Sequence, residues 1–203
     1  MIRLVAFASL AALSLAACEQ PAPPADAPAP APSAPAPTPP APAGDVLTAE
    51  GFGPLRIGMT RAEVEAALGS DANPNAVGGP DPETCDEFHP ARAPEGMNVM
   101  NQNGRLTRIT ATRSGPRTEA GVGVGDGADA VRTAYGARAL FTPHKYVDAP
   151  AGYATVWAKN GGAAGVYVEN PEARGVVFDI DAGQTVKLIH VGGPSIQYVE
   201  GCL

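Results

Sequence analysis

Two stretches of this chain share one order of apolar and polar positions. In the first, Leu55 and Ile57 flank polar Arg56, a glycine follows, and Val64, Ala67 and Leu68 recur at helical spacing before Gly69. That order predicts a short strand, Gly58, a helix and a stop, because glycine takes the left-handed conformation at a helix end cheaply. The second stretch, residues 122–136, aligns without a gap at a fixed offset (122 − 55 = 67). Val122, Val124, Val131 and Tyr135 stand where Leu55, Ile57, Val64 and Leu68 stand, and Gly125 and Gly136 match Gly58 and Gly69. A match at fixed period predicts a duplicated unit.

The two helix starts differ in quality. Thr60 is a natural N-cap, Glu63 three residues on completes a capping box, and Met59 with Val64 supplies a hydrophobic staple. In the second stretch Gly127 occupies the cap position, so the negative charge there must come from Asp126 or Asp129. The second helix is expected to be the weaker.

Beyond each helix the pattern changes to strands. Residues 70–82 are rich in Asn, Gly, Pro and Asp and read as a loop. Residues 97–100 and 105–112 flank Asn103-Gly104, a strong hairpin signal. In the second half, 153–157, 165–168, 176–180 and 185–191 are enriched in β-branched and aromatic residues, with a turn at 181–184. Each half is a short helical segment followed by an antiparallel meander. Helices packed on one face of the sheet give an α+β fold of two tandem repeats, residues 46–118 and 119–203, in one compact unit.

The amino end has a different composition. Arg3 followed by an apolar run to Ala17 reads as a signal peptide over residues 1–17, because the run is shorter than the roughly 20 residues of a spanning helix. It ends in Leu15-Ala16-Ala17-Cys18, which resembles the lipobox of bacterial lipoproteins. The resemblance implies cleavage before Cys18 and acylation of its thiol, hence attachment to the lipid bilayer. Glu19, rather than Asp, follows the cysteine, which favours the outer membrane, facing the periplasm, over the inner membrane. Residues 18–45 then form a Pro/Ala-rich tether, expected to be disordered and extended, that spaces the folded part from the membrane. It lacks the interleaved basic residues of a Pro-rich recognition ligand.

Two cysteines remain. A secretory leader implies an oxidising compartment, so Cys85 and Cys202 are expected to form a disulfide, with two unpaired thiols as the alternative.

With Leu15-Ala16-Ala17-Cys18 and Ile57-Gly58-Met59-Thr60…Val64…Leu68-Gly69 on the page, the chain resembles the BamE/SmpA type of small bacterial outer-membrane lipoprotein. That resemblance implies an accessory role in outer-membrane protein assembly. Two such units in tandem are also similar to the β-lactamase-inhibitory protein family, in which a concave face grips a partner. Neither resemblance implies a catalytic residue. The departures are the duplication, Asp126-Gly127 in place of Met-Thr, and the long Pro tract.

Charge and motifs narrow the chemistry. The formal net charge is −7. An acidic chain without a basic run argues against nucleic acid and against adsorption to anionic lipid. The glycine-rich 121–127 fits neither dinucleotide nor P-loop spacing, so no nucleotide is expected. His89, His144 and His190 are scattered, so no metal or other cofactor is expected. Ser114 and Ser195 lack a nucleophile frame. The candidate binding surface is His144, Lys145 and Tyr146 in a polar loop together with Tyr153, Trp157 and Tyr167, since interface cores favour aromatics. The competing assignment places those three rings in the core between sheet and helices. The functional expectation is a non-catalytic, membrane-anchored module that binds an envelope protein. The alternatives are a proteinaceous enzyme inhibitor using a concave sheet face and, less strongly supported, an envelope hydrolase.

Overall fold

The computed structural model describes residues 45–76 and 78–202. The leader, Cys18 and nearly all of the tether lie outside the described residues. Among the described residues no helix is long and apolar enough to cross a membrane.

The elements run β1 (Val46–Thr48), β2 (Gly51–Phe52), β3 (Leu55–Arg56), α1 (Arg61–Leu68), β4 (Cys85–Phe88), β5 (Met97–Gln102), β6 (Arg105–Ala111), β7 (Arg117–Thr118), α2 (Ala128–Tyr135), β8 (Leu140–Pro143), β9 (Gly152–Lys159), β10 (Arg174–Ile180) and β11 (Val186–Gly192). A short 3₁₀ turn, Pro194–Gln197, follows β11. Seven strands form one antiparallel sheet in the order β4-β5-β6-β11-β10-β9-β8. Four short ones form a second sheet, β3-β2-β1-β7, with β1 and β7 parallel. α1 lies between β3 and β4 and α2 between β7 and β8, set among mainly antiparallel strands, and the architecture is α+β.

The core lies on one face of the large sheet. Val64 of α1 and Val131 of α2 are fully buried there against Ile109, Phe178, Ile189 and Val191, and Leu47, Phe52 and Leu55 of the small sheet join the same cluster. Phe178 stacks at a tilt on Tyr135 at the end of α2, with ring centroids 5.5 Å apart. Strand alternation then turns the intervening residues to the opposite face.

The helix bounds fall 67 residues apart, at the offset of the sequence match. Both preceding glycines adopt φ +96°, a conformation L side chains rarely take. Both helix starts are laced to the second strand of a hairpin by the same pair of bonds. Gly58 donates to Leu106 O (2.7 Å) and Leu106 to Met59 O (2.7 Å); Gly125 donates to Val186 O (2.9 Å) and Val186 to Asp126 O (2.9 Å).

The caps differ as expected from their residues. Thr60 and Glu63 form the full capping box, whereas Gly127 supplies no side-chain cap. Asp126 is turned away from the helix. Its carboxylate accepts from Arg117 (2.8 Å) and from the Gly123 amide (2.9 Å), which hold its pKa below the usual carboxylate value. Asp129 is left in the first turn of α2.

Other features depart from the sequence pattern. Residues 165–168 form a turn and an irregular segment, not a strand. Their strand-like composition is overridden because β10 spends its two edges on β9 and β11, leaving this segment to cross outside the sheet. Residues 122–124 make only an isolated bridge, Arg117 to Gly123. β1, β2, β7 and β8 are too short or too polar to show a period. The Asn103-Gly104 hairpin forms, with φ of 50° and 73°. Both values are positive, as a two-residue primed turn requires.

Candidate functional site

The sheet face turned away from the helices holds a cleft of about 480 Å³. Direct cross-strand pairing arranges its floor in rows. One row crosses six strands, running Asn98, Thr110, His190, Val177, Thr155 and Leu140, each the register partner of the next. At about 4.8 Å per strand it spans roughly 24 Å. A second row runs Leu188, Asp179, Tyr153 and Thr142. A third runs Glu87, Met100, Arg108, Gly192, Gly175 and Trp157.

The C-terminal segment lies over the third row and forms one wall. Arg108 is 3% exposed and holds that segment down. Its guanidinium donates to Ser195 O (3.1 Å), to Tyr198 O (2.9 Å) and to the Glu87 carboxylate. Burial acts against its charge and lowers its pKa, while Glu87 acts the other way. Gly175 leaves room for Ile196, since a Cβ there would come within 3.1 Å of the Ile196 Cδ1. The disulfide Cys85–Cys202, with Cα atoms 5.5 Å apart, ties the chain end to edge strand β4.

Residues 163–168 continue this wall. The Gln197 amide accepts from the Val168 N–H (3.0 Å) and donates to Val168 O (2.9 Å). Tyr167 and Tyr198 stack with planes 2° apart and centroids 6.4 Å apart.

Trp157 is held between two glycines. A Cβ on Gly161 would fall 2.0 Å from the indole Cγ, and one on Gly175 would fall 2.7 Å from Cε3. Only hydrogen at both positions admits the ring as it stands.

Two histidines sit at the site in different states. His190 Nδ1 lies 2.9 Å from the Thr110 hydroxyl. Burial, with the Arg108 charge nearby, pushes its pKa down to about 3, so the ring is neutral. His144 accepts the Tyr146 and Val147 amides at Nδ1 (3.0 and 3.1 Å), which places its proton on Nε2. That nitrogen is 3.8 Å from Asp179 Oδ2. Burial raises the Asp179 carboxyl, and His144 offsets part of the effect.

Of the residues singled out from sequence, Tyr153, Trp157 and Tyr167 line the cleft. They lie on the face away from the helices, which corrects the assignment of these rings to the core between sheet and helices. His144, Lys145 and Tyr146 form the rim instead. His144 stacks on Tyr153 with centroids 4.7 Å apart, Lys145 reaches Glu200 at 3.7 Å, and Tyr146 is 59% exposed. Cys18 lies outside the described residues. Arg108, Thr110, Asp179, His190 and Gln197 were not singled out from sequence as site residues. The alternation Arg108, Thr110, Thr112 along β6 and one residue past it is the available signal, since it marks a polar sheet face.

The glycine-rich segment at 121–127 spends its amides internally. Gly121 donates to Thr118 O, Gly123 to Asp126 and Gly125 to Val186 O. Among the described residues no group of three or more His, Cys, Asp or Glu side chains is placed to hold a metal ion.

Comparison with known proteins finds no match to this chain among family models, curated proteins or solved structures.

Proposed function

We propose that this protein is a non-catalytic binding module of the bacterial cell envelope, anchored through an acylated Cys18 and carried on the Pro/Ala-rich tether. Its ligand is another envelope component held in the cleft of the large sheet. One observation carries this proposal: a 480 Å³ concavity with a walled end, aromatic side chains and a polar floor. Binding sites generally combine concavity, aromatic lining and a few placed polar groups. The two halves are copies of one unit in this account, supported by the shared offset of 67 residues and by the matched bonds at Gly58 and Gly125. Duplication builds one wide sheet from two meanders joined at β6 and β11, and the cleft floor crosses that junction. Tethering raises the local concentration of the module near membrane partners. The resemblance to BamE/SmpA lipoproteins is consistent with such a role.

A second possibility is a proteinaceous inhibitor that caps an enzyme with the same face. The exposed apolar residues Val166, Tyr167 and Val199 in the cleft wall, with Tyr146 at the rim, favour it, because a protein partner would cover them.

A photoreactive phenylalanine analogue at position 167, in the cleft wall, and at position 129, on the exposed start of α2, tests the proposal in intact cells. Discrete adducts to one envelope component, protein or glycan, are expected from position 167 alone. Equal adduct patterns from both positions, or none from position 167, would overturn it.

A further inference from the structure

The chemistry of the cleft narrows what occupies it, given the binding role proposed above. Each carboxylate or guanidinium lining the cleft is already paired within the protein. Arg108 meets Glu87, Asp179 faces His144 at 3.8 Å, and Glu200 faces Lys145 at 3.7 Å. His190 is neutral. Among the described lining residues the one guanidinium, Arg108, is neutralised by Glu87, which leaves an anion no cationic partner, burial disfavours the charge on Asp179, and the acidic chain as a whole repels polyanions.

What remains is hydroxyl, amide and aromatic surface. Asn98 and Thr155 in one row, with Thr142 in the next, supply short hydrogen-bonding groups that both donate and accept, and between them the Thr110 hydroxyl, engaged with His190, keeps acceptor capacity. An acyl chain laid on this floor would strip them of water without replacing the hydrogen bonds, which disfavours it. An extended peptide fares poorly for a different reason. β6, β11, β10 and β9 are interior strands whose backbone groups are spent on their neighbours, so a peptide lying across the floor finds no unpaired backbone there, and strand addition is confined to the outer edges at β4 and β8.

A pyranose ring suits both kinds of surface. Its hydroxyls meet the threonine and asparagine groups, and its apolar C–H face packs on an aromatic ring. Trp157 is fixed in place for such stacking by Gly161 and Gly175. Tyr153 and the Tyr167–Tyr198 pair stand around the same cleft. We propose that the cleft is a binding site for a neutral oligosaccharide, with Trp157 as its stacking platform and the Asn98–Thr110–Thr155 row as its hydroxyl-reading floor.

The test uses the full chain purified from membranes in detergent and a panel of neutral di- to tetrasaccharides of glucose, galactose, mannose and N-acetylglucosamine. Binding is read by Trp157 fluorescence and by calorimetry. At least one neutral sugar is expected to bind, with affinity lowered tenfold or more in Trp157→Ala and fivefold or more in Thr155→Val. Thr155→Val preserves side-chain shape and keeps the test meaningful if Trp157→Ala fails to fold. Silence across the panel, or binding that ignores both substitutions, overturns the proposal. The crosslinking at position 167 separates the two failures. Protein adducts there with a silent panel sink the saccharide assignment and leave the binding cleft standing. No adducts and a silent panel sink both.

Discussion

The Gln197 side chain clamps the main chain of Val168 at two points, accepting from its N–H at 3.0 Å and donating to its carbonyl at 2.9 Å. Twenty-nine residues separate them, and the clamp substitutes for a strand pairing that residues 165–168 do not make. Gln197→Ala removes both bonds from a partly buried site. A loss of about 1–3 kcal/mol is expected in urea unfolding. Hydrogen exchange at the Val168 amide should accelerate far more than exchange in β10. Unchanged protection at Val168 would show that the wall holds by other contacts.

The disulfide anchors the other end of that wall. Cys85 and Cys202 are 117 residues apart. In the chain-entropy account a loop of that length stabilises the fold by about 4–5 kcal/mol. Replacing both cysteines by serine should lower the unfolding free energy by an amount of that order. Exchange protection should fall first in the C-terminal segment that lines the cleft. Equal loss of protection throughout the sheet would assign the bond a global role and no special one at the cleft.

Acidification should destabilise the protein through His190. Its folded pKa is about 3, against 6.5 for the free side chain. Between those values the unfolded chain binds more protons than the folded one, so stability is full above pH 6.5 and falls as pH drops toward 3. The slope from this one group is at most about 1.4 kcal/mol per pH unit. His190→Gln keeps hydrogen-bonding capacity toward Thr110 and removes the titration. Urea midpoints at pH 7, 6, 5 and 4 should therefore diverge from wild type in steepness. Parallel pH profiles would mean that His190 takes up its proton alike in the folded and unfolded chain.

The helix starts predict opposite responses to substitution. Thr60→Ala removes a side-chain cap and should cost about 1 kcal/mol. Gly127→Ser should instead stabilise by a few tenths of a kcal/mol, because serine can cap where glycine does not. The backbone there is ordinary, with φ −73°, and the nearest atom to an added Cβ is 3.9 Å away. Thermal midpoints of the two variants should move in opposite directions from wild type.

Local chemistry made part of this structure legible in sequence. The bounds of α1 and α2 follow from helical spacing between glycines, and the Asn103-Gly104 hairpin from a dipeptide that takes two positive φ values readily. The Cys85–Cys202 bond follows from residue type and the expected compartment. The cleft could not be read in the same way. Thr110 and His190 are 80 residues apart and touch only because β6 pairs with β11. A strand's alternation says which of its residues share a face, but not which neighbouring strand supplies the rest of the surface, nor which face the helices cover. Trp157, Tyr153 and Tyr167 are large apolar rings that composition alone assigns to a core. It took the long-range pairing of two meanders, and a C-terminal segment folded back over Arg108, to place them around a cleft.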